Sequence, residues 1–496
     1  MSAFDSMAPV IIGVGEASRK TVPGEWPTPS ELAGAAIKAA LADTGQPQAV
    51  AAAIDTIAAI RTFEDSGVSM GTGSPDNVAE AFGAAGGISA PRLIYADVGG
   101  QSPQAMVNEL AGAIRRGEIE VAVIVGAEAN GTAKRARKAG VELDWRLPSD
   151  TPFDNRLSRF PILSRAEIRH GIISMPLAYS LMENARRLAL GKSRDIYAAD
   201  MAKLWSALSQ KSLNREHAQF ARGWTAAEIL DEAEGNYQLT DIYRRWHVAQ
   251  DAVDLGGAII LTSAGKAREL GVADNKMVWL AGAAETKEPP LSERADLVNP
   301  LALQYALHAA LDQAGFAPTD LGPVDIYSCF PVAVSDAIDS LGDPVRAPGE
   351  YTLTGGLSFF GGPGNGYPLY SLAAMVEALR KDGSKPALVT ANGGVMSKQA
   401  VGVYTASQPP CAWGGEIIKG YQAKSVEIDD APQGKARILT YARPIVKGAM
   451  GAATLILEME TGARALAVLE SADDADLGGL PVTVIPGEKR HIAMLI

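Results

Sequence analysis

Two stretches of this chain repeat one another in order, and that repetition limits the fold more than any single motif does. The first runs through Pro9-Val-Ile-Ile-Gly13, a helical pattern from Ser30 to Gly45, Ala53-Ile-Asp55, a glycine-rich loop at Gly99, a helix ending at Gly117 and an apolar strand from Val121 to Val125. The second runs through Met277 to Ala281, a helical pattern from Asn299 to Gly315, Val324-Asp325-Ile326, a glycine-rich loop from Gly361 to Gly364, a helix ending at Lys381 and a strand from Ala387 to Thr390. The offset stays near about 270 early in the unit and about 265 late in it, as a duplication requires. Ala36, Ile37, Ala40, Leu41 and Gly45 match Ala306, Leu307, Ala310, Leu311 and Gly315 at one fixed offset. Two related halves are therefore expected, with any functional site between them.

The patterns inside each half are those of an α/β fold. Leu32, Ala36, Ile37, Ala40 and Leu41 share one helical face, and Gly45 closes the pattern as a left-handed cap would. Asn299-Pro300 predicts a capped start for the partner helix. Val121 to Val125 and Ala387 to Val389 are continuous apolar runs, which suit strands buried on both faces. At 496 residues the chain exceeds one ordinary core, so two to four domains are expected. The reading places one half at 1–129, completed by 250–270, and an inserted loop domain at 130–249. The other half falls at 271–407 and a small β domain at 425–496, where short strands alternate with turn signals.

Composition removes several function classes. A net charge of −12 argues against nucleic acid or an anionic membrane surface as the main partner, because both require clustered cations. Cys329 and Cys411 are the only cysteines, too few for a disulfide framework or a cysteine-rich zinc site, and the 5 histidines never fall at metal-ligand spacing. Neither a secretory signal nor a membrane span is read, so the expected compartment is the reducing cytoplasm.

With these pieces placed, the chain resembles the thiolase superfamily, and within it the thiolases of the sterol-carrier-protein type and thiolase-like proteins with an extra C-terminal domain. The resemblance rests on the duplication, the insertion after the first half, Ala105 to Glu128, Asp254-Leu-Gly-Gly-Ala258 and the stretch from Gly355-Gly356 to Pro363. It implies a five-layered αβαβα fold and an acyltransferase chemistry of lipid metabolism, the making or cleaving of 3-ketoacyl-CoA. That chemistry needs a thiolate on the loop before a first-half helix, because the acyl group is held as a thioester. Aligned on Gln104-Ala105, this cysteine falls at Gly99, and the family's activating histidine falls at Gly362. The acid/base cysteine falls at Thr390, whose hydroxyl cannot replace a thiol near neutral pH. The fourth motif appears as Tyr327-Ser328-Cys329-Phe330. The active site is degenerate, and the residues leave open whether the chain is an enzyme.

Three readings follow. In the first, the chain binds coenzyme A or an acyl-CoA between its halves without ordinary thiolysis and without a tightly bound cofactor. Asn365 and Asn392 would donate to a thioester oxygen, while Arg186, Arg187, Arg244, Arg245 and Trp246 of the insertion offer cations and a stacking surface for the CoA phosphates and base. In the second, it is an aldol-type C–C lyase on a β-hydroxyacyl-CoA, because the resemblance extends to thiolase-like aldolases that lack the cysteine; Tyr327 or Tyr367 would be the acid/base. Cys329 is expected to be a small buried hydrophobe. The third is a non-catalytic scaffold or regulatory subunit. Thiolases are dimers or tetramers, so a homo-oligomer is one expectation, and a monomer is the other where an added domain covers the contact surface.

Overall fold

The computed structural model describes residues 4–19, 22, 24–158, 161–233, 235–470 and 475–496. In the first half, β1 (Pro9–Ser18), α1 (Pro29–Asp43), α2 (Pro47–Ala53), β2 (Thr56–Ala59), α3 (Val78–Gly86), β3 (Arg92–Tyr95), α4 (Ser102–Arg115) and β4 (Val121–Ala129) follow one another. The insertion contributes α5 (Asn130–Ala139), β5 (Asp154–Asn155), α6 (Arg165–Arg169), α7 (Met175–Ala189), α8 (Arg194–Ser212) and α9 (Ala226–Leu230) before β6 (Asp254–Ser263) and α10 (Ala264–Glu269). The second half is β7 (Val278–Lys287), α11 (Leu301–Ala314), β8 (Val324–Asp325), α12 (Pro331–Leu341), α13 (Pro368–Lys381), β9 (Ala387–Gly393) and β10 (Lys398–Thr405).

The strands run in the order β5-β3-β2-β4-β6-β1-β7-β10-β9-β8, the halves meeting where Val10 and Ile11 pair with Trp279 and Val278. Every residue of β4 is buried, the condition for a strand covered on both faces. Helices α4 and α13 touch each other and both half-sheets, whereas α1 packs outside β1 and β6 and α11 outside β7 and β10. This gives the five layers expected of the αβαβα fold, with α4 and α13 as the central one.

Local chemistry explains most boundaries. Thr28 and Glu31 form a reciprocal capping box at α1, and Pro29 occupies its first turn. Gly45 does adopt a positive φ of 74°, but Thr44 is the C-cap. Asn299 does not cap α11. Pro300 holds that position, and the Asn299 amide donates instead to Asp296, 2.7 Å away. The duplication also fails locally: β3 has no strand counterpart in the second half, where Ile326 N–H donates to Tyr351 O at 3.0 Å across an irregular stretch.

Two features of the insertion and the C-terminal region cover surfaces of the core. β5 pairs in parallel with β3, so Ile94 and Tyr95 face Asp154 and Asn155 and the edge of the sheet is occupied. The linker after β10 lies along the core, with Ile418 N–H donating to Ala283 O at 2.9 Å and Trp413 Nε1–H to Gln313 Oε1 at 3.1 Å. Beyond it, β11 (Gly434–Ala442), β14 (Ala453–Met459), β15 (Arg464–Leu469), β16 (Pro481–Ile485) and β17 (Ile492–Leu495) close into a barrel, with a small hairpin of β12 (Ile445–Val446) and β13 (Ala449–Met450). The barrel has its own core around Leu455, Leu457 and Val482. No helix among the described residues is long and apolar enough to cross a membrane.

Candidate functional site

Four loops converge between the halves: Gly99 before α4, the glycine stretch before α13, Tyr327–Phe330 before α12, and the end of β9 at Asn392. Asn365 ties two of them together. Its Oδ1 accepts from Gly99 N–H at 3.0 Å, and its Nδ2 donates to Arg61 O at 2.7 Å and Ser66 Oγ at 3.0 Å. Both amide protons are thereby engaged in bracing, which leaves none for a thioester oxygen. Asn392 differs: its Oδ1 accepts from the Tyr179 hydroxyl at 3.3 Å, and among the described residues its Nδ2 has no bonded partner.

The positions where the family would keep its nucleophile and base have close neighbours. Gly99 has φ +126°, a backbone that side chains rarely adopt, and a Cβ there would collide with Gln101 Oε1. At Gly100 a Cβ would collide with the Tyr327 hydroxyl, and at Gly393 with Gln101 Oε1 again. Gln101 therefore lies across the gap between the two glycine-bearing loops, with Oε1 buried and unbonded. Gly362 N–H donates to Gln250 O at 2.8 Å, and a Cβ at Gly362 would press on Ala249.

The remaining sequence-predicted residues have distinct surroundings. Cys329 Sγ lies 3.5 Å from the Tyr179 hydroxyl and 3.8 Å from Asn392 Oδ1, and burial pushes its thiol up to about 11, so it stays protonated near neutral pH. Thr390 Oγ1 accepts from Tyr327 N–H at 3.1 Å, which makes it a backbone brace. Ser328 Oγ accepts from Leu357 N–H at 3.2 Å. Tyr367 is fully buried and bonded to Thr354 Oγ1 at 2.5 Å, and burial followed by the nearby Asp325 carboxylate raises its phenol far above the ordinary range. Tyr327 packs edge-on against it at 5.6 Å. Burial raises the Tyr327 phenol well above 10, so it can donate a proton or hydrogen bond but not act as a base.

Three residues of the site were not among the sequence candidates, although Glu128 ends a stretch that carries the resemblance. Tyr179 of α7 donates to Gly394 O at 2.9 Å, accepts from Met396 N–H at 3.2 Å and stacks on Phe330 at 4.0 Å, so the insertion forms one wall. Glu183, one turn further along α7, accepts from the Tyr197 and Tyr243 hydroxyls at 2.5 Å each and from Val332 N–H at 2.8 Å. It thus caps the N-terminus of α12, whose own cap residue Phe330 offers no side-chain acceptor, and so fixes the Tyr327–Phe330 motif. Glu128, at the end of β4, accepts from Phe63 N–H at 2.7 Å beneath Gly364, and burial raises its carboxyl to about 8.

That last shift has a measurable sign. A carboxyl with a raised folded-state value binds more protons folded than unfolded, so its stabilisation is complete below about 4.5 and is lost as pH rises through about 8. Glu128→Gln removes this dependence. Urea titrations are expected to show the variant gaining on the wild type between pH 5 and pH 9 by on the order of 4 kcal/mol. Parallel stability–pH curves for the two proteins would show that Glu128 is already ionised in the fold.

The five insertion residues do not form one patch. Arg186 pairs with Asp339 at 2.6 Å and Asp336 at 3.5 Å, linking α7 to α12. Arg187 is buried, forks onto Asp476 at 2.7 and 2.9 Å, and donates to Lys192 O, which holds the barrel to the insertion. Arg245 donates to Gln250 Oε1 at 3.1 Å and lies over Trp246, which is buried among Trp224, Phe220 and Phe359. Arg244 pairs with Glu232 at 4.0 Å and lines a cavity shared with the β12–β13 hairpin. The ion pairs of Arg186 and Arg187 answer to the packing of α12 and the barrel, which the charge pattern alone does not reveal.

No family model matches the chain, and no curated protein does. Solved structures do. A monomeric SCP2-thiolase-like protein type 1 from Mycobacterium smegmatis is 32% identical, with a TM-score of 0.82 over 99% of this chain and 100% of that one. An Ltp2–ChsH2(DUF35) aldolase is 17% identical, with a TM-score of 0.56 over 81% of this chain and 98% of its own. The dimeric peroxisomal thiolase of Saccharomyces cerevisiae is 15% identical, with a TM-score of 0.57 over 81% and 98%. The last two show the fold alone. With the first relative matching nearly end to end, barrel included, the chain belongs to the SCP2-thiolase-like proteins of the thiolase superfamily.

Proposed function

We propose that this protein binds coenzyme A or an acyl-CoA in the cleft between its halves and does not carry out ordinary thiolysis. The observation that carries this reading is the vacated nucleophile position: glycine stands at residue 99 with φ +126°, a backbone that a cysteine rarely adopts, while Asn392 Nδ2 remains a donor for a thioester oxygen. Cys329, the one thiol in the cleft, is held protonated by burial, so no group there is poised to form an acyl-enzyme. Binding without transfer needs only donors, and Asn392 Nδ2 is one. The occupied sheet edge at β3 and the linker lying on β7 support a monomer, as does the monomeric relative. A cytoplasmic compartment fits the two unpaired cysteines.

Calorimetric titration with CoA and acetyl-CoA tests the reading: saturable heat is expected, with acetoacetyl-CoA thiolysis at background. Absence of heat at millimolar ligand would favour a scaffold role instead. A second reading, aldol-type cleavage of a β-hydroxyacyl-CoA, draws on the Tyr327 hydroxyl, which makes no hydrogen bond among the described residues and is protonated, as an acid for an enolate must be. Tyr327→Phe is expected to leave CoA affinity within about threefold, since one unpaired hydroxyl contributes little to binding. Loss of a lyase activity in the same variant would establish the aldolase reading.

A further inference from the structure

One contact between the insertion and the C-terminal barrel is built around two histidines. His170, the C-cap of α6, is 2% exposed, and the ring of His491, immediately before β17, lies 4.8 Å from its own. The Thr454 hydroxyl of β14 donates to His170 O at 3.1 Å. The neighbouring Arg169 guanidinium donates to Gly487 O at 2.7 Å and Lys489 O at 3.0 Å, in the turn between β16 and β17. His170 is thus the buried centre of a docking contact for one end of the barrel.

The partners of the His170 ring fix its protonation. Nδ1 lies 2.7 Å from Ala166 O, which can only accept, so Nδ1 carries a proton. Nε2 lies 3.1 Å from the backbone nitrogen of His491, whose N–H can only donate, so Nε2 must be bare. Only the neutral imidazole satisfies both. A proton on Nε2 would set two donors face to face and leave a buried backbone N–H without its acceptor. The His491 ring is neutral for a similar reason, because its Nδ1 accepts from Gly487 N–H at 3.3 Å.

The charges around the ring add to the cost of protonating it. Arg169 of α6, and Arg490 and His491 of the β16–β17 turn, face it and are cationic or become so in acid. Asp429 and Asp430 lie on the His491 side, Glu488 and Lys489 of the same turn are exposed, and Thr454 brings no charge from β14. Glu167 of α6 is engaged elsewhere, accepting from Ser164 N–H at 2.8 Å and Ser292 N–H at 2.7 Å. Burial is the main cause that holds the His170 imidazole down at about 4, against the pull of Ala166 O. The other contacts of the barrel need no imidazole: Arg187 pairs with Asp476 at 2.7 Å, and Thr440 Oγ1 donates to Leu181 O at 2.6 Å.

We propose that His170 is an acid-sensitive latch, which while neutral locks the β16–β17 turn onto the insertion and when protonated releases that end of the barrel. The end held by Arg187 and Asp476 stays docked. A histidine with a depressed folded-state value stabilises above its ordinary 6.5 and loses that contribution as pH falls towards about 4, so the latch weakens across this window.

Hydrogen exchange on the full chain at pH 6.5 and pH 4.5, with each rate divided by that of the unstructured peptide, tests the latch. Peptides spanning 487–493 are expected to lose protection about tenfold or more on acidification, while those of β4 keep theirs. His170→Gln puts an amide oxygen in place of Nε2 and cannot titrate, so H170Q should lose less than about threefold in the same peptides. Imidazole 15N shifts of the wild type give a readout that does not depend on the variant folding: His170 is expected as the neutral Nδ1–H form at pH 5.5. Equal loss in wild type and H170Q, no loss in the wild type, a loss that β4 shares, or a His170 ring already charged at pH 5.5 would each overturn the proposal.

Discussion

Glu183→Ala is expected to destabilise the protein by about 3–5 kcal/mol, read as a lowered urea midpoint. The carboxylate is fully buried and serves three donors at once, the Tyr197 and Tyr243 hydroxyls and Val332 N–H. Alanine leaves all three without an acceptor in a region closed to water, and each orphaned group costs about 1–3 kcal/mol. The consequence is also local. Val332 N–H is in the first turn of α12, so the loss loosens Tyr327–Phe330 and with it one side of the cleft. Glu183→Gln retains one acceptor oxygen and the shape, and its cost is expected to stay near about 1–2 kcal/mol. Equal destabilisation by alanine and glutamine would show that charge, not hydrogen-bond satisfaction, is what Glu183 supplies.

The second large effect concerns restoration of the missing chemistry. The double substitution Gly99→Cys with Gly362→His puts the family's residue types back, yet thiolysis of acetoacetyl-CoA is expected to stay at background. At φ +126° a cysteine is strained, and its Cβ would also push the end of the Gln101 side chain aside, so the thiol starts from a backbone that disfavours it. A histidine at Gly362 presses on Ala249. The pair is expected to lose on the order of 3 kcal/mol of stability without gaining rate. Adding Gln101→Ala clears the collision and is the informative third change. Thiolysis that appears in the double variant would mean that the cleft keeps its catalytic geometry and lacks only the two groups.

Much of the fold was legible in the chain because duplication and helical or strand periodicity are local properties. The pattern at Leu32, Ala36 and Ile37 becomes the buried face of α1, and the run from Val121 becomes an entirely buried strand. The site was legible only where a motif survived. Tyr179 touches Asn392 across 213 residues of sequence, and nothing in the amphipathic pattern of α7 distinguishes it from a packing residue. Gln101 sits beside Gly99 in the chain, but its role follows from the Gly393 backbone on the opposite half. Asn365 was visible as a donor and is engaged as a brace, because Arg61 O and Ser66 Oγ lie within reach. Arg186 and Arg187 read as free cations and are neutralised by aspartates at Asp339 and Asp476.

The sequence alone determined that two α/β halves face each other, that Gly99 and Gly362 stand where the thiolase superfamily keeps its nucleophile and base, and that a β domain follows. Residue identity and periodicity are enough for those conclusions. Only the tertiary structure decided that Gly99 holds a backbone at φ +126° against Gln101, that Gly362 lies against Ala249, and that Cys329 and Glu128 are held protonated. Protonation and accessibility depend on desolvation by neighbours, and in this protein those neighbours come from elements far apart in the chain.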